Sequence, residues 1–169
     1  MADQDKTMFL YVAAYTDESA ANEDFELLKE LNKEGWVGTY DAGVVVKDSE
    51  GKLSIKRHTD STGKGLRRGL AVGAVLGIVF PPSILATGLV GAGAGAVIGH
   101  KLNDVSKDDL KDIGDLLENN ESAIVVLGES KVEDKVKELT KKAIKQYQKD
   151  FNSDVKDYNK AIDEAVKAV

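Results

Sequence analysis

Few residues in this chain stand at spacings that could do chemistry. Gly91, Gly93 and Ala96 satisfy GxGxxA, the spacing with which a strand-to-helix turn holds a dinucleotide's pyrophosphate. The match lies inside a four-residue glycine repeat, after Pro81-Pro82, with no parallel-sheet unit around it. Spacing without that context predicts no nucleotide site. Gly63-Lys64-Gly65 is not a phosphate-binding loop either, because the upstream glycine and the Ser/Thr after the lysine are missing.

Metal and acid–base patterns are equally thin. The two histidines, His58 and His100, have no second ligand at metal spacing. Asp104, Asp108, Asp109, Asp112 and Asp115 cluster near one amphipathic stretch and read as its acidic start and solvated face. Asp150, Asn152 and Asp154 imitate the opening of a calcium loop, but Val155 stands where glycine is needed and Ala161 replaces the closing glutamate. With no Ser/His/Asp or Cys/His arrangement, the expectation is a protein without catalytic residues, metal or cofactor.

The elements around these residues form a pattern. Thr7 to Tyr15 (TMFLYVAAY) is apolar on both alternating faces, a central strand. Asp17 to Lys33 carries Ala21, Phe25, Leu28 and Leu31 at helical spacing. Tyr40 to Lys47 and Leu53 to His58 form a hairpin around the turn DSEGK. A second helix is predicted after Ser106, a candidate cap, with Leu110, Ile113, Leu116 and Leu117 on one side. Ser122 to Leu127 is a fourth strand. The order strand, helix, strand, strand, helix, strand predicts an α+β fold: a ferredoxin-like, split βαβ sheet with both helices on one face. From Val132 to Val166 apolar residues step by three or four, predicting an amphipathic helix or pair of helices packed on the sheet's open face.

This gives a discontinuous domain over residues 1–60 and 104–130, an apolar insert over 61–103 and a helical segment over 131–169. The 169 residues carry a net charge of −6, which argues against nucleic acid as the main partner. There is no cysteine, which excludes disulfides and thiol chemistry. The N-terminus lacks a basic region followed by a long apolar run, so no signal peptide is predicted.

The insert is the one strong handle on function. Gly65, Gly69, Gly73 and Gly77 form an uninterrupted GxxxGxxxGxxxG. After Phe80-Pro81-Pro82, Ser83, Thr87, Gly91, Gly95 and Gly99 keep the same four-residue interval. At that spacing the small residues line one stripe of each helix, where another backbone can approach closely. The two prolines cannot continue a helix, so they mark the turn of a hairpin.

Cost restricts where such a hairpin can reside. Nine glycines lie between Gly65 and Gly99, each costing about 0.8–1 kcal/mol relative to alanine within a helix. The other face holds Leu70, Val72, Leu76, Ile78 and Val79, then Leu85, Leu89, Val90 and Ile98, an apolar patch that lipid or another subunit must cover. As helices the two arms would be about 24 and 30 Å long, close to a hydrocarbon core of roughly 30 Å. Lys64, Arg67 and Arg68 stand at the entry and Lys101 at the exit, as for cations at the cytoplasmic interface.

TMFLYVAAYTDESAANEDFELLKEL, TYDAGVVVKDSEGKLSIKRH, GLAVGAVLGIVFPPSIL and KDDLKDIGDLLENNESAIVVL together resemble the bacterial "domain of unknown function 1269" family. The resemblance covers roughly Thr7 to Lys137, and the FPP turn between glycine repeats is its most specific part. Members are commonly described as membrane or stress-associated proteins. The resemblance implies the architecture and transfers no catalytic residue. The functional expectation is a non-enzymatic protein on the cytoplasmic side of the inner membrane, inserting and self-associating through its glycine hairpin. Its competitors are a soluble cytoplasmic homo-oligomer with a shared apolar core, and a carrier of an apolar ligand.

Overall fold

The computed structural model describes residues 7–33, 40–60, 107–118, 121–129 and 133–154. Eight elements follow in order: β1 (Thr7–Tyr15), α1 (Glu18–Lys33), β2 (Tyr40–Lys47), β3 (Leu53–Asp60), α2 (Lys107–Leu116), β4 (Ser122–Glu129), α3 (Glu133–Leu139) and β5 (Lys145–Asp154). The strands form one five-stranded sheet in the order β3-β2-β4-β1-β5, with every neighbouring pair antiparallel. The α+β class is as the sequence predicts.

Local chemistry explains the first elements. Asp17 caps α1, its Oδ1 accepting from the Ala20 amide at 2.8 Å, which satisfies one of the helix's open donors. In the β2–β3 turn, Asp48 Oδ1 accepts from the amides of Glu50 at 2.9 Å and Lys52 at 2.8 Å. Gly51 completes the turn with φ of 82°, a conformation that glycine adopts without a Cβ penalty. A bulge between Val44 and Val45 then shifts the register from Arg57 to Ile55.

One sheet face carries Phe9, Tyr11, Ala13 and Tyr15 of β1, Ala42 and Val44 of β2, and Ile124 and Val126 of β4. Ala21, Phe25 and Leu28 of α1 and Val136 of α3 pack into the same cluster. The alternate residues of these strands, among them Leu10, Val12, Val45, Val125 and Leu127, are also buried. The apolar character of β1 and β4 on both faces is thereby explained: side chains alternate across a strand, and both sides are covered.

Three expectations are corrected. A ferredoxin-like sheet sets β1 and β3 at its centre, whereas here β2 and β4 adjoin and β1 lies beside β4 and β5. The β2–β3 hairpin pairs with β4 through β2 (Ala42↔Val126, Val44↔Ile124), because β2 is buried on both faces while β3 exposes Lys56 and Arg57. An edge suits charged side chains.

Nor do α1 and α2 share a face. The Leu117 carbonyl just after α2 accepts from Lys47 Nζ at 3.3 Å. Leu116 lines a cavity with Tyr147, the register partner of Val12, on the side away from α1 and α3.

The third correction is the C-terminal helix. The segment forms the short α3, on the same face as α1, and then the strand β5. Tyr147 and Phe151 explain the misreading, since residues four apart share a face in a strand as well as in a helix. The pairing of β5 with the edge of β1 decides between the two. Val155, Tyr158, Ile162 and Val166 lie outside the described residues.

Candidate functional site

Among the described residues, buried polar groups come together where α1, β1 and the α3–β5 turn meet. Asp24 sits on the buried stripe of α1, three residues after Ala21 and next to Phe25, and is only 2% exposed. Its Oδ2 accepts two hydrogen bonds, from the Tyr15 hydroxyl at 2.9 Å and from the Lys142 amide at 2.9 Å. Four residues along the same face of β1, the Tyr11 hydroxyl lies 2.7 Å from Thr140 Oγ1. Thr140 Oγ1 in turn donates to the Val136 carbonyl at 3.1 Å. A threonine hydroxyl has one hydrogen, so Tyr11 is the donor to Thr140. Lys142 Nζ also pairs with Glu23 at the surface.

The electrostatics make these tyrosines donors and nothing more. Burial raises the Tyr15 hydroxyl far above its ordinary pKa of 10.0, and the neighbouring Asp24 charge raises it further. Burial likewise raises Tyr11, opposed by its bond to Thr140 and assisted by Asp24. Both stay neutral at physiological pH, and with Asp24 and Thr140 buried the cluster offers no reacting group to solvent. It is a polar joint between elements.

A second feature is a cavity of about 310 Å³ between α2 and β5, lined by Asp112, Asp115, Leu116, Gln146 and Tyr147. Asp112 and Asp115 are exposed, as the solvated-face reading of this cluster expects. Among the described residues, no group of three His, Cys, Asp or Glu could hold a metal ion. Asp150, Asn152 and Asp154 fall in the extended strand β5, which is not the geometry of a calcium loop. His58 lies in β3 opposite Gly43, and Asp108 is an exposed residue of α2.

The sequence-predicted packing and interface residues are not among those the structure describes. Gly65, Gly69, Gly73, Gly77, Gly91, Gly95 and Gly99, the turn Phe80-Pro81-Pro82, and Lys64, Arg67, Arg68 and Lys101 all lie outside the described residues. So do His100, Asp104 and the candidate cap Ser106. Among the described residues, no helix is long and apolar enough to cross a membrane. Sequence reasoning missed the polar joint. Its signal was present: one carboxylate, Asp24, interrupts the Ala21–Phe25–Leu28 stripe, and two tyrosines stand four apart in a strand.

Comparison with curated proteins and with solved structures gives no match. The sequence model of one family, described as "Protein of unknown function (DUF1269)", matches residues 67–157. The match begins within the glycine stretch and runs through α2, β4, α3 and β5. It reaches further toward the C-terminus than the resemblance read from Thr7 to Lys137, and it leaves β1 to β3 outside. With more than half of its length matched, the chain belongs to the DUF1269 family.

Proposed function

We propose that this is a non-enzymatic, membrane-associated protein that self-associates through a glycine-zipper hairpin formed by residues 61–103. The observation that carries the reading is the four-residue glycine interval on both sides of Phe80-Pro81-Pro82, which suits close helix packing where lipid covers the remaining apolar face. The fold adds support. β3 and α2 flank the stretch and belong to one sheet-based unit, so a hairpin leaving and re-entering it would begin and end on one side of a bilayer. The basic residues Lys64, Arg67, Arg68 and Lys101 stand near both ends, which favours the cytoplasmic side. Self is the expected partner, lipid the expected surroundings, and the sheet unit a soluble platform.

The test uses the untagged full chain in two measurements, flotation with lipid vesicles and native mass. Co-flotation together with an oligomer supports the proposal. A large particle that does not float indicates a soluble assembly with a shared apolar core, and a monomer with extractable lipid indicates a carrier. Gly73→Leu then probes the stripe. It raises helix propensity and apolarity, so membrane affinity should hold or rise. Overpacking at a close contact costs about 1–3 kcal/mol, so assembly should weaken roughly five- to a hundred-fold. An unchanged oligomer would mean that the stripe is not the packing surface.

A further inference from the structure

Side chains fasten the turn that introduces β5 to α1 and β1. Lys142 gives its amide to Asp24 and its ammonium to Glu23, and Thr140 meets Tyr11. The Ile144 amide donates to the Ala14 carbonyl at 2.8 Å. Along β5, Gln146 and Gln148 are exposed, while Lys145 and Tyr147 are half-buried. Its partner β1 is buried at every position from Phe9 to Tyr15 and is held on its other side by β4. The pairing of β1 with β5 also breaks register between Thr7 and Met8. A strand with no fully buried side chain from Lys145 to Gln148, joined at that end by a polar catch, is the kind of element that opens without global unfolding.

We propose that β5 is a strap across the edge of β1, detaching and reattaching as a unit, with Asp24 as its catch. Opening breaks the bonds from Lys142 to Asp24 and from Thr140 to Tyr11, while α1, β2 and β4 stay in place. The open form uncovers the edge of a strand that is apolar on both faces, a template for pairing that proteins ordinarily keep covered. The strap therefore controls access to that edge. This is independent of how the glycine stretch is read.

Native-state hydrogen exchange on the full chain tests the strap, in low denaturant and with reclosing faster than exchange. In the wild type, amides of residues 145–154 should exchange at least about tenfold faster than those of 122–129, with a weaker denaturant dependence. Ile124→Val weakens only the body, so it should speed exchange in 122–129 about two- to tenfold and leave 145–154 unchanged. Asp24→Ala removes the Lys142 bond, lost in both the open and unfolded forms, and the Tyr15 bond, lost only on unfolding, so it should speed both segments, 122–129 by the larger factor. Thr140→Val removes one bond between elements, that to Tyr11, so it should speed both segments by one smaller, equal factor. Equal rates and equal denaturant dependence of the two segments in the wild type would overturn the strap, and that comparison needs no variant. If Ile124→Val speeds both segments equally, β5 opens only with the whole sheet. If Asp24→Ala speeds 122–129 but not 145–154, Asp24 is not the catch; should that variant fail to fold, Thr140→Val decides the point.

Discussion

β4 and β5 flank β1 on either side, both antiparallel and over nearly the same residues, yet they are strands for different reasons. β4 (SAIVVLGE) is buried from Ser122 to Gly128 and supplies side chains to both faces of the sheet. β5 (KQYQKDFNSD) has no fully buried residue between Lys145 and Gln148. The first is specified by burial. The second is specified by the backbone of β1, whose groups on that side need partners, and by a polar turn fastened to α1. Strand identity can thus come from the neighbour rather than from the sequence of the strand itself.

That contrast can be broken or sharpened by measurement, beginning with its β4 side. Leu127→Ala removes a fully buried side chain and should destabilise the protein by about 2–5 kcal/mol, seen as a lower urea midpoint. A loss below 1 kcal/mol on that scale would mean that β4 is not held by burial. At the joint, Asp24→Ala strands the Tyr15 hydroxyl and the Lys142 amide, at a cost of about 1–3 kcal/mol. Asp24→Asn can keep an acceptor in place and should lose less. Equal losses for the two variants would show that the carboxylate's bonds do not matter.

The tyrosines add a pH dependence. Their pKa values are raised in the folded protein above 10.0, so the folded state holds their protons more tightly than the unfolded chain does. Stability from this source is complete below pH about 10 and falls as pH rises beyond it, by about 1.4 kcal/mol per pH unit for each tyrosine. Denaturant titrations between pH 9 and about 11.5 should show a shallower fall in Tyr15→Phe than in the wild type. Parallel curves would place the alkaline sensitivity in other groups. The smallest effect belongs to β5: Gln148→Ala, at an exposed position, should change stability by no more than about 0.5 kcal/mol. A larger loss would give β5 side-chain support that its exposure denies.

Legibility follows the same division. β1, α1, the β2–β3 hairpin, α2 and β4 could be read directly, because periodicity, caps and turn residues act over a few residues. β5 could not, since a spacing of four is shared by helix and strand. Asp24 marked the polar joint, but its partner Lys142 is far away in the chain. Only packing brings those two regions together.

The sequence by itself determined the α+β class, the two-faced burial of β1 and β4, and a four-residue glycine repeat on either side of Pro81-Pro82. These are local properties, set by side-chain polarity and backbone propensity within a few residues. Tertiary structure alone decided the order β3-β2-β4-β1-β5, the opposite placement of α1 and α2, and the conversion of a helix-spaced tail into an edge strand. Each depends on which surfaces remain unpaired once the other elements have packed, a quantity that belongs to the assembled sheet and to no single segment.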